Sequence, residues 1–274
     1  MRNLVLVVII LVVAFAAYYL GQQSSKPELP PAPQQPVSDI TTGNNTEQKP
    51  APIKYPVNNT TPADGGAVNT PAVTPLPGLD HSDDSVREAL AGIYDPLQLD
   101  KLFNFKSAIR HFVVTVDNMT ASKLPQKFKY TRLPADSFLV IKDADGGLSI
   151  DPKNYNRYTP YIRFVETVDM NGLAQLYFRY YPLFQQAYQD LGYPDRYFND
   201  RLVAVIDHLL ATPDVRDPVK LKQPVVYYTF ADPALEQLSA GQKLMIRIGH
   251  DNAVRVKECL RRLRVELTHK PSEE

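Results

Sequence analysis

The chain of 274 residues has one cysteine, no tryptophan and no excess charge of either sign, thirty lysines and arginines balancing thirty aspartates and glutamates. Each shortage excludes something. A lone thiol, Cys259, can form no internal disulfide, so in an oxidising compartment the fold must hold by packing alone. Its place beside Leu260 on an apolar helix face suits a buried structural side chain better than a reactive one. The neutral balance leaves no footprint for nucleic acid and no polybasic patch for a membrane surface. Signatures of chemistry are missing as well: there is no Gly-x-Ser-x-Gly elbow, no His-Glu-x-x-His, no phosphate-cradling glycine loop and no paired-cysteine metal site. No cofactor is therefore expected. No internal repeat of fixed period occurs, which argues against a solenoid.

What the chain does have is an unbroken apolar run over residues 4–20. Seventeen such residues span roughly 25 Å as a helix, enough to cross a thin bilayer core, with Tyr18 and Tyr19 at the far interface. Arg2 and the terminal amine precede the run and the next cation is Lys26, so the charge bias keeps residues 1–3 cytoplasmic and sends the rest across. Ala14-Phe15-Ala16 matches a signal-peptide cleavage site, but the apolar run continues past it, which favours a retained signal-anchor. No cysteine lies near the end of the run, as a lipoprotein would need.

Residues 22–83 change character completely. Twelve of the twenty-four prolines fall here, with almost no large apolar side chains. Such a segment cannot bury enough surface to offset its ordering entropy, and composition predicts a disordered linker with an r.m.s. span of roughly 45 Å. A folded domain follows over residues 84–268, long enough for a core of its own, and residues 269–274 form a flexible tail.

Periodicity makes this domain mainly α: a multi-helix globular unit with a small β-hairpin and one extra short strand. Ser85-Val86-Arg87-Glu88 reads as a capping box, followed by Val86, Ala89, Leu90 and Ile93 on one face. After Asp95-Pro96, the residues Leu102, Phe105, Ile109, Phe112, Val116 and Met119 step by three and four, which predicts one long core helix. A second block starts near Thr159-Pro160 and resumes at Asp169, with Pro182 inside it expected to kink or break it. Residues 196–210 and 252–267 are further amphipathic helices, and Ser239-x-x-Gln242 is a second capping box. Residues 138–141 and 148–150 flank a turn-rich tip, and residues 225–230 form a β-branched and aromatic run.

Candidate chemistry is sparse. Asp143 and Asp145 at the hairpin tip fail the calcium-loop pattern, since the twelfth position is Asn154 rather than a bidentate Glu. Asp200 and Asp207 with His208, or His111 beside Arg110, could pair for proton transfer, although such residues more often make structural hydrogen bonds. Glu166 and Asp169 are the carboxylates a glycan hydrolase would use, yet capping or solvent exposure explains them more simply. Lys257, Arg261 and Arg264 form a basic series that reads as a solvated helix face.

Tyrosine is the one compositional anomaly. Nine of sixteen lie between Tyr155 and Tyr197, interleaved with Arg157, Arg163, Arg179, Arg196 and Arg201. A ring with an apolar face and a hydroxyl serves both wet cores and recognition surfaces. Core and boundary positions account for Tyr177, Tyr180 and Tyr188; the recognition reading selects Arg179, Tyr180, Tyr181, Tyr158, Arg201 and His208 as a binding groove.

Three long segments carry a resemblance: AIRHFVVTVDNM at residues 108–119, YYPLFQQAYQDLGYPDRYFNDRLVAVIDHLLATP at 180–213 and YTFADPALEQLSAGQKLMIRIG at 228–249. Together and in this order they closely resemble the proteobacterial domain-of-unknown-function family 3014, over nearly the whole folded part. The resemblance implies a Gram-negative envelope location, with a membrane segment and a Pro-rich spacer before the domain. It implies no activity and no site residues. The expected protein is thus single-pass in the inner membrane, with a periplasmic domain that binds or scaffolds an envelope protein or peptidoglycan. The alternatives are a peptidoglycan-directed hydrolase with a site assembled from distant residues, and a dimerising clamp with an exposed apolar stripe on residues 102–119.

Overall fold

The computed structural model describes residues 52–57, 75–92, 95–122, 137–166 and 169–268. The expected anchor at residues 4–20, most of the expected linker and the tail 269–274 lie outside the described residues. Among the described residues no helix is long and apolar enough to cross a membrane.

The domain is mainly helical. Its α-helices are α1 (Asp83–Ala91), α2 (Pro96–Leu102), α3 (Ala108–Asn118), α4 (Thr159–Glu166), α5 (Met170–Asp190), α6 (Phe198–Leu210), α7 (Pro233–Glu236), α8 (Ala240–Arg247) and α9 (His250–Thr268). Short 3-10 turns at Leu79–His81 and Pro152–Tyr158 join them. α3, α5, α6 and α9 pack around one core, with α4 against α9. Aromatic rings fill its centre: Phe112 meets Phe184 edge-on at 5.3 Å, and Phe184 stacks on Phe198 at 5.9 Å. Such pairs add to the roughly 2 kcal/mol that burying each side chain contributes.

The predicted long helix over residues 96–119 is instead two. Ser107 takes a left-handed conformation, φ 52°, in the break between α2 and α3. The apolar spacing survives the break because Phe103 and Ala108 are buried on either side of it. α3 also lacks a cap of its own; the Asp83 carboxylate, on α1, accepts hydrogen bonds from the Ser107 and Ala108 amides at 2.7 and 2.8 Å. The stripe of Leu102, Ile109, Phe112, Val116 and Met119 is buried, so the exposed surface that the clamp reading required is missing.

Two local expectations are likewise corrected. Ser85 is inside α1 rather than at its start, and its hydroxyl bonds Tyr180 across the core. α5 runs unbroken through Pro182, which sits on the exposed face while Tyr177, Tyr181 and Phe184 anchor both sides. Packing outweighs the lost backbone bond. The second capping box is half realised, with Ser239 accepting the Gln242 amide at 3.2 Å.

The sheet has four antiparallel strands in chain order, β1 (Val140–Lys142), β2 (Leu148–Ile150), β3 (Lys220–Lys222) and β4 (Thr229–Phe230). The expected hairpin is β1–β2, while the expected strand over residues 225–230 narrows to β4, leaving Val225 and Val226 exposed in the β3–β4 turn. Leu148, Leu221 and Phe230 are in register across one face, which packs on Ile246 of α8.

Part of the expected linker belongs to the folded unit. Leu79 is buried in the main core, and Tyr55 and Val57 pack against it.

Candidate functional site

Tyr158, Tyr180 and Tyr181 are core residues, 1%, 3% and 6% exposed. Their burial tolerates the hydroxyls because each visible partner is internal: Tyr180 reaches the Ser85 hydroxyl at 2.6 Å and Tyr181 donates to Gln185 at 3.0 Å. Burial pushes the Tyr181 hydroxyl up to about 12. Arg179 is exposed and lies over the Tyr180 ring, 5.7 Å from its centroid. The six residues selected from sequence therefore do not converge.

His208 and Arg201 hold elements together. His208 Nε2 is 2.7 Å from Ser239 Oγ, the N-cap of α8, and its carbonyl accepts from the Gln242 side chain at 3.2 Å. Burial holds its pKa below the usual histidine value, and the Arg201 cation adds to this. Arg201 clasps the end of α3: Nε donates to Asp117 Oδ1 at 2.8 Å, and the guanidinium also reaches the Asp117 carbonyl and Thr120.

The carboxylates a hydrolase would need are committed elsewhere. Glu166 forms a two-pronged pair with Arg255, which holds its carboxyl below the usual range. Asp207 is bound by Arg264 at 2.5 and 3.2 Å. Asp200 accepts two backbone amides from the linker, those of Lys54 and Tyr55. At the hairpin tip, Asp143 takes the Gly147 amide at 2.6 Å and pairs with Lys220 at 2.9 Å, while Asn154 is fully buried and bonds both backbone groups of Leu139. Among the described residues no three His, Cys, Asp or Glu side chains are grouped to hold a metal. Cys259 is buried, which pushes its thiol up and makes it inert.

Among the described residues two sizeable depressions are open. One, of about 350 Å³, is lined by Tyr188, Arg196, Tyr197, Asp200 and Arg201 where α5 turns into α6. Its wall is built by stacking: Tyr188 lies on Tyr193 at 4.6 Å, Arg196 lies over the Tyr193 ring, and Tyr193 donates to Asp117. The tyrosine and arginine run of the sequence thus divides, its inner members entering the core and its last members facing this depression. The helix phase of α5 against the following turn makes that division, which spacing within one segment does not reveal.

The other depression, about 480 Å³, opens at the N-terminus of α9 between the 3-10 turn at Pro152–Tyr158 and the loop before β3. Tyr155 donates to Asp217 at 2.6 Å, and Asn252 ties the Tyr155 carbonyl to α9 at 3.2 Å. Gly249, at φ 91°, lets the Tyr155 ring approach so closely that a Cβ would sit 2.6 Å from it. Its charges are mixed, with Asp217 and Asp251 beside Arg216 and Arg255. No signal in the sequence pointed to this place, because its residues come from three separate segments.

Comparison with curated proteins and with solved structures gives no match. A family model does match, over residues 108–264, more than half the chain and almost all of the helical domain. The chain belongs to the family described as Protein of unknown function (DUF3014).

Proposed function

We propose that this protein is a membrane-tethered, non-catalytic binding module of the Gram-negative envelope, with the depression of Tyr188, Arg196, Tyr197, Asp200 and Arg201 as its recognition surface. The observation that carries the reading is the division of labour among polar residues. A general acid for glycan cleavage needs a raised pKa and an open approach. Glu166 has the opposite shift, under Arg255, and Asp207 is held by Arg264. His208, at the other end of the supposed pair, is bonded to a helix cap. What is left at the surface is the exposed Arg196 with the half-buried rings of Tyr193 and Tyr197, which suits a peptide or glycan partner rather than bond cleavage. The anchor at residues 4–20 and the proline-rich linker support a periplasmic domain that reaches a partner from the inner membrane.

The test is a photoreactive residue placed at Tyr197 in the full chain, in living cells, with the captured envelope component identified by mass spectrometry. A discrete protein or peptidoglycan adduct is expected, lost when the exposed Arg196 is changed to Glu. Absence of any adduct both at Tyr197 and at Arg196 would sink the assignment of this surface.

A further inference from the structure

Residues 52–57, Pro-Ile-Lys-Tyr-Pro-Val, lie across the first turn of α6 and the last turn of α9. One carboxylate, Asp200, accepts two consecutive backbone amides, Lys54 at 2.9 Å and Tyr55 at 2.7 Å, one on each oxygen. The Asn199 amide donates to the Tyr55 carbonyl at 3.0 Å and to the Leu267 carbonyl at 3.3 Å, while its oxygen accepts from the Tyr177 hydroxyl at 3.2 Å. Asn199 itself has no solvent exposure. The Tyr55 ring and Val57 pack on the core, the Tyr55 hydroxyl lies near the Arg264 guanidinium, and the Lys54 ammonium sits over the Tyr55 ring.

The chain bends at Lys54 and Tyr55, and the bend turns two consecutive amides, which would point to opposite sides in an extended strand, onto one carboxylate. Asp200 occupies the first turn of α6, where an acid commonly caps its own helix, yet α6 has no side-chain cap and both Asp200 oxygens turn outward to the strap. Pro56 disfavours helical conformations at Tyr55, which lowers the entropy lost on docking.

We infer that the groove of Asn199, Asp200, Arg264 and Leu267 is a binding site for a peptide that bends just before a Tyr-Pro step, and that the chain's own residues 52–57 are its resident occupant. Sequence recognition comes from the ring and the following proline; the carboxylate and the amide read the main chain. The tether makes the resident occupant a strong competitor, because a short intervening segment gives an effective concentration on the order of millimolar. A free peptide of the same chemistry therefore enters only when the resident one is weakened. The inference shares Asp200 with the proposed recognition surface but needs no outside partner. Its test uses this chain alone, so it can fail while crosslinking at Tyr197 succeeds, and the reverse.

Two measurements on the full chain decide it. In limited trypsin digestion, cleavage after Lys54 is expected to run at least about tenfold faster in Asp200→Ala and in Tyr55→Ala than in the unaltered chain, the second change lying in the strap where it cannot unfold α6. A fluorescent peptide of residues 52–57 is expected to bind the Tyr55→Ala chain about tenfold more tightly than the unaltered chain, and to lose that binding when Asp200→Ala is added. Equal cleavage in all three chains would overturn the docking. Equal binding, or none, to the Tyr55→Ala chain with and without Asp200 would overturn the peptide site.

Discussion

Buried tyrosines give this domain a core that is both aromatic and polar. Tyr177 donates to Asn199 while Asn199 holds the strap, so a side chain in the centre of the fold is one bond away from the surface groove. Histidine adds a dependence on pH at the same scale. His208 has a folded pKa below its unfolded value of about 6.5, caused by burial, with Arg201 contributing. The folded state thus resists a proton that the unfolded chain accepts, and the stability present above pH 6.5 is lost as pH falls through the folded value. His111, lowered by burial, has the same sign. The urea midpoint is expected to drop between pH 7.5 and 5.5, and His208→Gln, which keeps a hydrogen-bonding group toward Ser239 but does not titrate, is expected to show a smaller drop. An identical drop in both proteins would refute this role for His208.

Helix boundaries show how one element depends on another. The 3.6-residue pattern found the right residues for the core over 96–119, because burial selects apolar side chains whether or not the helix is continuous. It missed the break at Ser107 because the group that caps α3, Asp83, is twenty-five residues from Ala108 and belongs to α1. Asp83→Ala is expected to cost about 1–2 kcal/mol by urea denaturation, since it removes a charged cap shared by two amides. Asp84→Ala, at the neighbouring exposed position, is expected to stay within about 0.5 kcal/mol. Equal losses at both positions would mean that the cap does not stabilise α3. Pro182 teaches the converse lesson, a strong local breaker overruled by aromatic packing on both sides. β3, with alternating Lys220, Leu221 and Lys222, is too short to stand out by propensity and exists only because β2 and β4 flank it.

At the scale of the whole molecule, the strap changes what the linker is. Composition predicts one coil over residues 22–83, but residues 52–57 are tied to α6, so the coil predicted between anchor and domain shortens to residues 22–51, with an r.m.s. span of roughly 30 Å. The proposed topology has a direct check. Alkaline phosphatase fused after residue 274 is expected to be active, and β-galactosidase at the same place inactive; the reverse pattern would put the domain in the cytoplasm. Mainly helical character, the hairpin, the family and the buried Cys259 were legible in the sequence alone, because burial periodicity, turn composition and segment similarity are local properties of the chain. Which tyrosines enter the core, which acids are neutralised by Arg255 and Arg264, where α3 begins and where the linker docks were decided only by tertiary structure. Each of these depends on a partner far away in sequence, and no spacing within one segment encodes the meeting of two.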